Sequence, residues 1–151
     1  MPDIVDIAAY YAGLGQALLA PPAGDEDAER EYVRLFLSPQ GAVCPPWQSV
    51  YMAPEGETPR LMGAAHHAAL GWFRRHGFEP AGEGEAADHA GLLLLFFARL
   101  LDADEPRATL EAFRREHLEW LPRFASILAA EASHEHYRAV GEALLEPVEI
   151  D

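Results

Sequence analysis

Glu85-Ala86-Ala87-Asp88-His89-Ala90-Gly91-Leu92-Leu93-Leu94-Leu95-Phe96-Phe97-Ala98-Arg99-Leu100-Leu101 is the stretch whose reading decides the fold. From Leu92 to Phe97 it is apolar in every direction around a helix, so a helix here must be buried on all sides. Its start is expected near Ala87-Asp88 and its end near Leu101. Passing over Arg99, the apolar run still falls well short of the roughly 20 residues that span a bilayer. It is therefore the central helix of a protein interior.

Outward from it, nearly every segment reads as helix. Ile4, Val5, Ala8, Tyr11, Leu14 and Leu18 recur at helical steps until Pro21-Pro22 stops them. A second helix is expected from about Asp25, with Glu26 and Asp27 suited to an N-terminus. It carries Tyr32, Val33, Phe36 and Leu37. Thr58-Pro59 reads as an N-cap and first helical position, ahead of Leu61, Ala65, Ala69, Trp72 and Phe73. Gly77, after Arg74, Arg75 and His76, reads as the C-terminal stop of that helix. Pro80, Gly82 and Gly84 follow as a loop. Pro106 opens a helix with Leu110, Phe113 and Leu118 inward, and Pro122 either kinks it or begins another with Phe124, Ile127 and Leu128. Ser133 is expected to cap a last helix bearing Tyr137, Val140, Leu144 and Leu145, ended by Pro147. From Ser38 to Gly56 the pattern breaks at Pro39, Gly41, Pro45, Pro46, Pro54 and Gly56, yet this loop holds Trp47, Val50, Tyr51 and Met52. The expectation is all-α: one domain over residues 1–151, a helical bundle with one long loop rich in aromatics and proline.

The charge narrows the partners. Eleven basic against 25 acidic residues give −14. Such a surface repels nucleic-acid phosphates and anionic lipid, and favours a basic partner. Cys44 stands alone, so no internal disulfide forms. The start, Met1-Pro2-Asp3-Ile4-Val5-Asp6, lacks the basic region of a secretory signal, and a soluble cytoplasmic protein is expected.

Three segments carry a resemblance. Tyr32-Val33-Arg34-Leu35-Phe36-Leu37-Ser38-Pro39 with Pro45-Pro46-Trp47-Gln48-Ser49-Val50-Tyr51 resembles a Y-x-x-L-F-x-G-P … P-P-W-x-S-V-Y signature. Glu85-Ala86-Ala87-Asp88-His89 resembles an E-P-x-D-H opening of an apolar helix. Glu116-His117-Leu118-Glu119-Trp120-Leu121-Pro122-Arg123-Phe124 resembles an H-L-x-x-W … F helix break. Together they resemble the TorD/DmsD family of redox-enzyme maturation chaperones, which also includes nitrate reductase assembly proteins. Ser38 replaces the signature's glycine, Ala86 replaces its proline, and both ends are short for the family. The resemblance implies an all-α cytoplasmic chaperone without catalysis or cofactor. It would bind the twin-arginine signal peptide of a molybdopterin-containing oxidoreductase, and the folding intermediate of that catalytic subunit, until cofactor insertion is complete and export can begin. It also implies a monomer or a domain-swapped dimer.

A twin-arginine signal joins a basic head to an apolar stretch, so its receptor needs carboxylate beside an apolar groove. Arginine meets carboxylate through two parallel charge-assisted bonds. Asp88 is the carboxylate expected to do this, with His89 beside it; the competing role for Asp88 is to cap the central helix. Trp47, Tyr51 and Phe36 are candidates for the apolar wall, with Pro45, Pro46 and Ser49 shaping the loop that presents them. The competing role for that loop is to plug the bundle.

Two rival classes remain. An acidic helical adaptor for some other basic amphipathic segment would bind many basic peptides with strong salt dependence. A metal-binding helical enzyme is suggested by Glu131-x-x-His134, half of a di-iron pattern, but a second Glu-x-x-His is missing. His66-His67 and His134-x-His136 are poorly spaced for one helical face. The expectation is therefore no metal site and no catalytic residue.

Overall fold

The computed structural model describes residues 4–38, 41–53, 62–80 and 85–148. Pro39, Pro54, Gly56, Thr58, Pro59, Leu61, Gly82 and Gly84, named above, lie outside them. Eight α-helices are described: α1 (Ile4–Leu19), α2 (Glu26–Tyr32), α3 (Gln48–Met52), α4 (Ala64–Arg75), α5 (Ala90–Asp102), α6 (Arg107–His117), α7 (Leu121–Glu131) and α8 (Glu135–Leu145). Among the described residues there is no β-strand, and the architecture is all-α.

α5 is the central element. Leu92, Leu93, Leu94, Phe96, Phe97, Leu100 and Leu101 are all buried, while Leu95 is half-buried and Arg99 exposed. α1 crosses it closely. A methyl group on Gly91 would lie 2.5 Å from Leu19 Cγ and 2.7 Å from the carbonyl oxygen of Gly15, so only glycine admits this approach. On the far side of α5, Phe96 meets Phe73 and Phe113 at 4.9 Å between ring centres, and Trp72 packs edge-on against Phe113 at 5.3 Å. Such edge-to-face geometry is what the ring quadrupoles favour. A second aromatic group joins Tyr32, Phe36 and Tyr137 to Phe124 of α7 and to Trp120 just before it. Both belong to one apolar cluster that runs from Ala8 to Val148.

Several boundaries follow local chemistry. Asp25 caps α2 through Ala28 N–H at 3.0 Å. Gly77 closes α4 with φ +65° after Arg74 and Arg75. Pro122 sits in the first turn of a new helix rather than kinking the old one, with Leu118–Trp120 as the break. Others differ from expectation. The second helix does not stay α: from Val33 to Leu37 it widens into a π-helical turn, placing Leu35 and Phe36 inward and Val33 and Leu37 outward. The aromatic loop folds α3 within itself. Ser133 is not the cap of α8; His134 is, its Nδ1 accepting from His136 N–H at 3.1 Å. Likewise α5 starts at Ala90, with His89 as its cap.

Candidate functional site

The Pro45-Pro46-Trp47 segment lies across the start of α5. Trp47 and His89 pair in an isolated antiparallel bridge. The backbone is pinned where Ala90 N–H donates to Pro46 C=O at 2.7 Å and Cys44 N–H to Leu35 C=O at 2.8 Å. The prolines have no N–H to offer, so only the residues around them can make these bonds.

Asp88 is fully buried. Its carbonyl accepts Gln48 N–H at 3.1 Å, and its Oδ2 accepts Ser49 N–H at 2.9 Å. Asp88 therefore caps α3, a helix 39 residues earlier in the chain, and not the helix it precedes. Its Oδ1 has no hydrogen-bond partner among the described residues. Ser49 is buried, and its Oγ is also unpartnered.

His89 is almost fully buried and accepts Gly91 N–H on Nδ1 at 2.9 Å, which leaves its proton on Nε2. Burial holds this imidazole below its ordinary pKa, against the opposing pull of Glu85 and Asp88. Trp47 stands edge-on to it at 5.9 Å and donates Nε1–H to exposed Glu85 at 2.7 Å.

The far end of the segment rests on α6 and α7. Tyr51 stacks on Trp120 at 5.2 Å, and its hydroxyl donates to Pro45 C=O at 2.8 Å. Burial pushes that phenol well above its ordinary range. Arg123 donates to Tyr51 C=O at 2.9 Å and lies over the ring. Phe36, by contrast, is an interior side chain packed on Tyr32, Phe124 and Tyr137. The structure brings Trp47, Ser49, Asp88 and His89 together with Pro45, Pro46 and Tyr51. Phe36 stands apart, beneath them.

Sequence reasoning missed several residues of this junction, Glu85 and Arg123 above among them. Gln48 is buried; its Nε2 donates to Glu116 C=O at 2.8 Å and its Oε1 accepts from His117 Nδ1 at 2.8 Å. His117, 1% exposed, then presents a bare Nε2 with no hydrogen-bond partner, 3.6 Å from Glu116 Oε1. Burial depresses its pKa in spite of Glu116 and Asp88. Glu116 also accepts Trp72 Nε1–H at 3.0 Å, and His66 Nδ1 accepts Ala87 N–H at 2.8 Å. Gln48 and His117 both lie inside quoted motif segments. That position was their only signal, because helical periodicity does not distinguish a buried polar latch from a surface side chain.

The rival chemistry finds little geometry. Among the described residues no three His, Cys, Asp or Glu side chains are grouped to hold a metal ion. His134, the half-motif histidine, caps α8 and faces Asp25 at 3.3 Å. Cys44 is buried, donates weakly to Phe124 C=O and has its thiol pushed up to about 12 by burial, which leaves no thiolate nucleophile at neutral pH. No described helix is long and apolar enough to cross a membrane.

Residues 5–126 match the family model described as nitrate reductase delta subunit. The Tat proofreading chaperone DmsD of Salmonella typhi is 29% identical over 119 residues, which is 78% of this chain and 57% of that protein. A probable Tat proofreading chaperone DmsD from Haemophilus influenzae is 30% identical over 118 residues, 76% of this chain and 55% of that one. The chain thus spans little more than half the length of these relatives. The crystal structure of a "putative redox enzyme maturation protein" from Archaeoglobus fulgidus has the same fold, with TM-score 0.58 at 21% identity, covering 89% of this chain and 91% of that one.

Proposed function

Because this chain belongs to the nitrate reductase delta subunit family, we propose that it is a cytoplasmic chaperone of molybdoenzyme maturation. In this reading it binds the twin-arginine signal peptide of a molybdopterin-containing oxidoreductase and delays export until the cofactor is in place. It acts by binding and carries out no reaction, and residues 1–151 act as one unit.

The observation that carries the reading is Asp88. A carboxylate with one oxygen unpartnered among the described residues sits directly beneath an aromatic segment, at the start of the buried central helix. A guanidinium group can supply two parallel bonds to such a carboxylate, and Trp47, Tyr51 and Trp120 supply apolar surface within the same junction. The excess of acidic residues would draw a basic leader toward it.

Calorimetric titration with three synthetic peptides tests this: an Arg-Arg head with an apolar stretch, a Lys-Lys counterpart, and the Arg-Arg head alone. The full Arg-Arg peptide should bind most tightly, and part of its affinity should survive 0.5 M salt. Asp88→Asn keeps an acceptor for Ser49 N–H but removes the charge, so it should weaken binding by about 10- to 100-fold with little change in melting temperature. Equal binding of all three peptides, abolished by salt, would instead identify an acidic adaptor for basic segments.

A further inference from the structure

We infer that α3 and the Trp47 that precedes it form a gate over Asp88, and that Gln48, His117 and Arg123 set how readily the gate opens. The inference rests on Asp88 as the ligand of a guanidinium group. It follows from a conflict between that role and the geometry. Asp88 is 0% exposed, and Ser49 N–H already occupies one of its two oxygens. No guanidinium reaches both oxygens while α3 is in place, so binding requires α3 to move.

The segment is built to move at one end. Its N-terminal side is pinned by backbone bonds at Cys44 and at Pro46. Beyond Trp47, α3 is only five residues long and is fastened mostly by side chains. Gln48 ties it to Glu116 C=O and His117, Arg123 ties Tyr51 C=O to α7, and Trp47 reaches exposed Glu85. A cleft of about 220 Å³, lined by Gln48, Met52, Glu116, Trp120 and Arg123 among others, already marks the seam between α3 and the α6–α7 corner. Lifting α3 along that seam uncovers Asp88 together with the ring face of Trp120 that Tyr51 now covers.

The closed junction also leaves polar groups unmet by the described residues. Asp88 Oδ1, Ser49 Oγ and His117 Nε2 are all buried without hydrogen-bond partners among the described residues. Leaving such groups unmade is costly, and the cost is relieved when a guanidinium takes both Asp88 oxygens and water reaches the other two.

The gate predicts the opposite of ordinary protection. Ligand binding usually slows amide exchange at the contact. Here an Arg-Arg peptide with an apolar stretch should speed exchange at the Gln48 and Ser49 amides, because both lose Asp88 as acceptor. Cutting a latch should raise affinity, since apparent affinity scales with the open fraction. The exposed Arg123→Ala, which removes one hydrogen bond, should tighten binding by about fivefold, and independently Gln48→Ala, which removes two, by about 5- to 25-fold. Asp88→Asn should bind weakly in either background. If the wild-type protein binds the peptide but Ser49 exchange slows and neither latch variant tightens, the gate is wrong and the chaperone reading stands. If no variant binds at all, Asp88 is not a guanidinium ligand and both fall together.

Discussion

Replacing Glu31 by Gln should destabilise the protein in a pH-dependent way whose size follows from the structure. Glu31 is buried at the end of α2. One oxygen accepts Arg34 Nε–H at 2.8 Å; the other accepts Ser133 N–H and His134 N–H, the latter at 3.0 Å, and so holds the start of α8. The Arg34 bond, assisted by the two backbone donors and opposed by burial, lowers its pKa from 4.5 to about 2. A depressed carboxylate stabilises the fold above its unfolded pKa and loses that contribution as pH falls through its folded one. At about 1.4 kcal/mol per pH unit, the contribution is about 3 kcal/mol at pH 7 and about 1.4 kcal/mol at pH 3. Arg34 is partly exposed, so solvent screening reduces both figures. Urea unfolding of wild type and Glu31→Gln should therefore show a difference of about 2–3 kcal/mol at pH 7 that narrows by about 1–2 kcal/mol at pH 3. A difference that stays the same at both pH values would show that the Glu31 charge does not anchor α8.

Gly91→Ala should lower stability by about 1–3 kcal/mol, or about 2–4 °C in melting temperature per kcal/mol, because its methyl group would strike Leu19 and the Gly15 carbonyl. An unchanged melting temperature would show that α1 does not cross α5 so closely. Cys44 should resist a thiol reagent at pH 8 in the native protein and react stoichiometrically in urea, given its buried thiol at about 12. Prompt native reaction would place the thiol elsewhere. Peptide affinity should rise severalfold from pH 8 to pH 6. His117, facing Gln48, Glu116 and Asp88, and His89, facing Trp47, Glu85 and Asp88, are both held neutral by burial; opening restores their ordinary pKa and takes up protons, so acid favours the open form. Anisotropy titrations at the two pH values measure it, and weaker binding at pH 6 would count against the gate.

The parts of the fold legible in the sequence are those set by signals within one turn. The unbroken apolar run at Leu92–Phe97 reads as a buried helix, and the structure buries all of it except Leu95, which is half-buried. Asp25 before an acidic first turn and Gly77 after two arginines act on their own neighbours, so their local chemistry sufficed, whereas Pro122 left a kink and a new helix both open. The π-helical turn at Val33–Leu37 carries no such signal. It places Leu35 and Phe36 together in the interior, and that demand comes from Tyr137 and Phe124, about 100 and 90 residues away.

The candidate residues other than Phe36 were legible as a group, but neither the Gln48–His117 contact nor the geometry was, and helix capping shows why. Ser133 was expected to cap the helix that follows it, and capping the central helix was the competing role weighed for Asp88, as both side chains suit. In both cases the neighbouring histidine takes the cap, accepting the N–H two residues on through Nδ1. Asp88 is thereby freed to cap α3, while Ser133 N–H is received by Glu31, 102 residues earlier. A capping preference states only that exposed N–H groups need an acceptor; it does not say which acceptor the fold brings nearest. Where a carboxylate is buried, the answer is tertiary, because an unmet donor anywhere in contact competes for it. The same reasoning separates the two roles weighed for Asp88. The cap is made to α3 through Oδ2 and leaves Oδ1 without a hydrogen-bond partner among the described residues, so the proposed guanidinium would compete with the cap for Oδ2. On the proposed reading, a guanidinium that takes both Asp88 oxygens must displace the internal Ser49 N–H bond to gain two of its own.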